Sequence, residues 1–312
     1  MTAGLSGNLV LVLLGIVTLL AVATLVILAL KKRLPGNDYS ELVLRIRTWW
    51  AIVAIFTFAL PMGRSAAIIL LAFVSFLAFK EYISMIPARR SDRQVVLLAY
   101  LSIPLQYYWI CKGWYWLYII FIPVFVFLLL PFCMVLIGET KGFLHATGTL
   151  HWGLMITVFA LSHAACLLAL QTGTSRPDSG EGLLLYLVFL TQFNDISQYF
   201  WGKLLGRHKV IPLVSPNKTY EGLLGGVITT LLLAFPLAQV LTPLTPIEAV
   251  IAGLIIGIGG FIGDINISAI KRDLGIRESG RLLPGHGGVL DRVDSLTCTA
   301  PLFFHFVHYT HY

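Results

Sequence analysis

"LVLVLLGIVTLLAVATLVILAL", residues 9–30, carries no charged side chain from end to end. As a helix rising about 1.5 Å per residue it is about 33 Å long, enough to cross a hydrocarbon core of about 30 Å. A leader peptide would show basic residues first, a shorter apolar run and a small-residue cleavage site. None of these is present, so the stretch reads as a retained membrane span.

The rest of the chain repeats the pattern. Of its 312 residues 57% are hydrophobic and 12% charged, and the mean hydropathy is +0.85. Soluble domains carry about twice that share of charge. Ten apolar runs are candidate spans: 9–30, 49–62, 65–83, 94–111, 114–138, 151–171, 182–202, 222–240, 247–267 and 296–310. Pro61-Met62-Gly63 would join the second and third as a tight hairpin, and "QYYWICKGWYWLY" (106–118) reads as an interfacial aromatic turn. The expected fold is an all-α polytopic membrane protein with nine or ten transmembrane helices. Cys111, Cys133, Cys166 and Cys298 stand singly, which argues against structural disulfides and zinc.

Charge then orients the chain. If alternate loops lie on one side, that side holds all but three (Arg64, Lys112, Arg176) of the 22 Lys and Arg residues. This bias marks loops 31–48, 84–93, 139–150, 203–221 and 268–295 as cytoplasmic. The net charge of +7 follows from that topology and from anionic lipid heads, and makes no case for nucleic acid. Residues 1–180 read as a transmembrane region without motifs, and 181–312 as a transmembrane catalytic region. No internal repeat is evident.

Four polar clusters interrupt the second region. "TQFNDISQYFWGK" (191–203) places Asp195 at membrane depth, where a carboxylate is costly and serves function or a buried partner. "VSPNKTYEG" (214–222) reads as a turn at Ser215-Pro216 and a helix start from Lys218, an arrangement suited to phosphate or to topology alone. "GDINISAIKRD" (263–273) sets Asp264, Ser268 and Lys271 or Arg272 on one helical face. In "PGHGGVLDRVDS" (284–295), Gly285, Gly287 and Gly288 permit a tight turn. Asp291 and Asp294 follow at i and i+3. With Asp264 or Asp195 nearby they make a hard-oxygen site suited to Mg²⁺. Carboxylates for a metal, with cations and glycine turns for phosphate, are what phosphoryl-type chemistry needs. The bland readings are interhelical hydrogen bonds, a polar helix cap and an ordinary salt-bridged helix start. Lys80-Glu81 reads as a span-end pair, and the histidines at 145, 151, 163, 305, 308 and 311 as isolated or interfacial.

"SAIKRDLGIRESGRLLPGHGGVLDRVD" (268–294) resembles the signature of the CDP-diacylglycerol synthase, or phosphatidate cytidylyltransferase, family. Ser268, Lys271, Arg272, His286, Gly287, Gly288, Asp291, Arg292 and Asp294 fall on its positions. "VSPNKTYEG" and "NDISQYFWGK" resemble two further family segments, and together the likeness covers about 190–297. Ile267 stands where bacterial members usually carry glutamate, and "NDIS" replaces the commoner "ADSG".

The resemblance implies cytidylyl transfer from CTP to phosphatidate at a magnesium centre, with or without a second cation, in a cytoplasm-facing cavity of a homodimer in the bacterial inner membrane. It assigns Asp264, Asp291 and Asp294 to metal. Lys271, Arg272, Arg292 and Lys218 would take phosphate charge, with Ser215, Ser268 and His286 as polar contacts, Gly287 and Gly288 at the substrate, and Asp195 completing the acidic cavity. Two other readings stay open: a paralogue with another lipid acceptor or a CTP-dependent lipid kinase, and an anionic-solute transporter.

Overall fold

The computed structural model describes residues 7–34, 38–86, 92–170, 180–285 and 287–311. Ten long helices follow the ten apolar runs. They are α1 (Gly7–Arg33), α2 (Ser40–Ala59), α3 (Arg64–Met85), α4 (Arg93–Lys112), α5 (Tyr115–Ile137), α6 (Phe143–Leu167), α7 (Gly180–Leu205), α8 (Tyr220–Leu241), α9 (Pro246–Asp273) and, after the short α10 (Leu290–Val293), α11 (Leu296–His311). Eight of them, α1 to α6 with α8 and α9, are long and apolar enough to cross a membrane. The protein is an all-α polytopic membrane protein, and its four cysteines are free thiols.

Two boundaries differ from expectation for the same reason. α2 begins at Ser40 and α6 at Phe143, each about eight residues early. Polar residues interrupt both added stretches: Glu41, Arg45 and Arg47 in α2, with Glu41 paired to Arg45 one turn on, and His145, Thr147 and Thr149 in α6. Hydropathy reads such stretches as loop, whereas the backbone simply continues the helix into the interface.

The third difference is chemical. Lys218 does not begin a helix. Residues Lys209–Ile211 (β1) and Ser215–Thr219 (β2) form an antiparallel hairpin, with Lys209 opposite Thr219 and Ile211 opposite Ser215. α8 starts only at Tyr220, where the Thr219 hydroxyl accepts from the Gly222 amide at 3.1 Å. Lys218 therefore projects from a strand, and the free amides of the helix start lie beyond it.

α7, α8, α9 and α11 pack together into the bundle that carries the polar clusters. A buried polar seam fixes their rotation: Asn194 donates to the Gly257 carbonyl at 3.2 Å and accepts from Thr230 at 3.1 Å, and Thr191 meets Thr299 at 3.1 Å. Interhelical hydrogen bonds of this kind help to set register where lipid supplies no hydrophobic drive. Asn194 faces the seam, so Asp195, its neighbour, is turned toward the cavity. α1 and α2 differ from this bundle in being buried over only 6% of their apolar windows. Their outer faces are exposed and apolar, as a face toward lipid would be.

Candidate active site

Asp195 on α7, Lys218 on β2, Asp264 and Lys271 on α9, Asp291 and Arg292 on α10, and Asp294 just beyond it all line one cavity of about 760 Å³. Ser215 and Gly287 border it as well. α2 supplies a further wall through Glu41, Arg45 and Trp49. That wall was not legible in the sequence, because nothing in residues 41–49 resembles a motif.

Around Asp294 the carboxylates gather. Ser295 ties two of them: its hydroxyl donates to Asp195 Oδ1 at 2.9 Å and its amide to Asp294 Oδ1 at 2.8 Å. Burial, and then the charges of Asp264 and Asp195, push the Asp294 carboxyl well above the ordinary aspartate range. Lys218 bonds directly into this cluster. Lys218 Nζ meets Asp264 Oδ2 at 2.6 Å and donates to Gln198 Oε1 at 3.1 Å. Burial alone would lower the lysine's pKa, but Asp264 and Asp195 outweigh it and hold the ammonium charged. Ser268 donates to the other oxygen of Asp264 at 3.2 Å.

Asp291 is held differently. Lys271 Nζ reaches its Oδ1 at 2.8 Å, and the amides of Ser279 and Gly288 reach Oδ2 at 2.9 and 3.0 Å. Burial would raise this carboxyl, yet Lys271 and the two amides leave it below the ordinary value. Gly287, at φ 78°, turns the chain so that the Gly288 amide can make that bond. Thus Asp264, Asp291 and Asp294 share a cavity but not a common partner.

Three expected residues stand aside, the first being Ser268, which is buried behind Asp264 and bonds it from outside the cavity lining. Arg272 points away from the cavity, donating to the carbonyls of Val214 at 3.1 Å and Ile276 at 3.3 Å, so it ties the hairpin to the end of α9. Gly288 backs onto Ser279 and Glu81 instead of lining the cavity. His286 lies outside the described residues. Ile267, at the position of the usual glutamate, is buried in the core.

Three participants escaped the sequence reading: Ser295, Gln198 as a partner of Lys218, and Glu81. Glu81 is not a span-end pair with Lys80. Its carboxylate is buried and accepts from the amides of Val289 and Leu290 at 2.9 and 2.8 Å and from the Ser279 hydroxyl at 3.2 Å. A lone glutamate at the end of an apolar run gives no signal of such contacts.

Among the described residues no three Asp, Glu, His or Cys side chains stand ready as folded to hold a metal ion. Two of the carboxylates carry an ammonium instead. The donors are nonetheless all oxygen, the type Mg²⁺ takes, and the Lys218 ammonium already sits as a cation among them. The donor set fits Mg²⁺ by chemistry, with Lys218 and Lys271 as the groups that must give way.

The sequence profile of the cytidylyltransferase family matches residues 43–310. The chain is 48% identical over 294 residues to the uncharacterized protein YnbB of Escherichia coli, covering 94% of this chain and 96% of that one. It is 41% identical over 144 residues to the phosphatidate cytidylyltransferase of Haemophilus influenzae, 45% of this chain and 50% of that one. The Staphylococcus aureus phosphatidate cytidylyltransferase matches at 41% over 127 residues, 39% of this chain and 48% of its own length. The chain thus aligns with about half the length of each of these two enzymes. With the profile running from the early part of α2 almost to the end of α11, the chain belongs to the cytidylyltransferase family.

Proposed function

We propose that the protein transfers a cytidylyl group from CTP to phosphatidate, giving CDP-diacylglycerol and pyrophosphate for phospholipid synthesis. The observation that carries this reading is the single cavity in which Asp195, Asp264, Asp291 and Asp294 meet Lys218, Lys271 and Arg292 among membrane helices. A phosphate oxygen of the lipid attacks the α-phosphorus of CTP. The bond from that phosphorus to the β-phosphate's bridging oxygen breaks, and pyrophosphate leaves with the electron pair.

Such transfer is driven by positioning and by neutralising charge around phosphorus. Lys218, Lys271 and Arg292 take triphosphate and lipid-phosphate charge, and Ser215 and the Gly287 backbone border the same space. Asp264, Asp291 and Asp294, with Asp195 beside them, would hold Mg²⁺, with or without a second cation. Bound there, the metal supplies charge neutralisation and orientation of the phosphates. Arg272 and Gly288 act by holding the surrounding loops. A homodimer in the inner membrane, with the cavity facing the cytoplasm, belongs to the same reading; the basic loops support the orientation alone.

A second reading keeps the chemistry and changes the acceptor. The similarity to phosphatidate cytidylyltransferases covers under half of this chain, whereas the likeness to the uncharacterized relative covers nearly all of it. α2 walls the cavity with Arg45 and Trp49, outside the motif-bearing stretch. Purified protein with Mg²⁺, CTP and phosphatidate, assayed for pyrophosphate and for the CDP-lipid by mass spectrometry, separates the readings. Phosphatidate-dependent formation of both products supports the first. Turnover only with another anionic lipid supports the second, release of CDP in place of pyrophosphate points to a kinase, and absence of any CTP binding sinks the enzyme reading.

A further inference from the structure

Glu81 belongs to α3, in the half of the chain that bears no motif, yet its carboxylate ends among the backbone amides of the loop that presents Asp291 and Asp294. Two carboxylates divide that loop between them. Asp291 takes the amides of Ser279 and Gly288, and Glu81 takes those of Val289 and Leu290 together with the Ser279 hydroxyl. Charge-assisted bonds to backbone amides are about twice as strong as neutral ones, and a buried amide left without a partner is costly. The fit is close: a Cβ on Gly288 would overlap both Ser279 Oγ and the Glu81 carboxylate, and one on Gly280 would come within 2.9 Å of Glu81 Oε1. Glu81 does not itself line the cavity.

Taking the proposed cytidylyl transfer as the reaction, we propose that Glu81 is a positioning residue for it. Its carboxylate ties Ser279, Val289 and Leu290 to α3 and so holds Asp291 and Asp294 in the cavity wall. Glu81 acts through this loop and touches no reacting group. The N-terminal bundle thereby contributes one fixed point to the site, in addition to the wall that α2 provides.

The test compares wild type with Glu81→Gln, Glu81→Asp and Ser279→Ala, each as full-length protein in the same detergent. Two readouts are used: steady-state pyrophosphate release with CTP, phosphatidate and Mg²⁺, and hydrogen–deuterium exchange. In Glu81→Gln we expect kcat to fall about 10- to 100-fold, as for other residues that orient a site from behind, with the KM for CTP changed less than about threefold. Amides 288–290 should exchange about tenfold faster, while the α7–α9 bundle keeps its protection. Glu81→Asp, which retains the charge, should recover part of both effects. Wild-type kcat and wild-type exchange in Glu81→Gln would overturn the proposal, and so would exchange rising equally throughout the bundle. If Glu81→Gln does not fold, Ser279→Ala decides: about threefold faster exchange at 288–290 is expected from the loss of one bond, and unchanged exchange there overturns the anchor. If wild type itself forms no product from phosphatidate, the proposed reaction fails, while the exchange comparison still decides whether Glu81 anchors the loop.

Discussion

Two stretches of the cavity wall carry aspartates three residues apart and treat them in opposite ways. Around Asp291 every oxygen is engaged, by Lys271 and by two backbone amides. Around Asp294 burial and the charges of Asp264 and Asp195 outweigh that of Lys271, and the Ser295 amide bonds the side chain. The first stretch is stable as it stands, while the second is short of positive charge. A site that receives a cation with its substrate needs both kinds of wall, one to keep its shape and one to attract. On the proposed reaction, Asp291 is framework that also faces the cavity, and Asp294 is the group that would accept the cation.

The sharpest way to break this contrast is Asp294→Asn. On the proposed reaction, pyrophosphate release should fall on the order of 1000-fold, since the metal that Asp294 would help to hold is worth several kcal/mol in such transfers. The melting temperature should not drop, because the change removes one of several crowded carboxylates. A destabilised protein, or an active one, would contradict the assignment.

Asp291→Asn should instead destabilise by about 3 kcal/mol, because it leaves the Lys271 ammonium buried and unpaired. Adding Lys271→Met to that variant is expected to restore much of the melting temperature without restoring activity. Failure of the double variant to recover would mean that the ion pair is not what holds this part of the wall. Gly288→Ala should cost about 1–3 kcal/mol through overpacking against Ser279 and Glu81, and an unchanged melting temperature would show that the loop has room to shift. The smallest effect belongs to Arg272→Ala. Its guanidinium bonds two carbonyls outside the cavity, so activity should change by less than about tenfold, the scale of such bonds. A collapse of kcat would place Arg272 on the substrate after all.

How far the sequence could be read depended on the range of the interaction. Helices declare themselves locally, so ten apolar runs became ten helices, and only stretches interrupted by polar residues, such as Ser40–Thr48, were misread. The β1–β2 hairpin was missed because "KVI" and "SPNKT" are too short and too polar to alternate visibly, and Pro216 looks like a turn. Many of the residues that line the cavity could be named because the motif keeps them close in sequence. Their division could not. Ser295 joins Asp195 to Asp294 across 100 positions, and Glu81 meets Leu290 across 209. Arg272 and Lys271 are adjacent, yet one faces the cavity and the other does not, a difference of one step around a helix whose end was uncertain.

α2 has a consequence of a different sort. It walls the cavity, and the Thr48 hydroxyl fastens it to the Pro284 carbonyl at 2.8 Å, yet only 6% of its apolar window is buried in the protein. The acyl chains of the bilayer are therefore the packing material on that side, and membrane thickness acts on the same helix that carries Arg45 and Trp49. A micelle that replaces those chains leaves the carboxylates where they are and changes the backing of the doorway beside them.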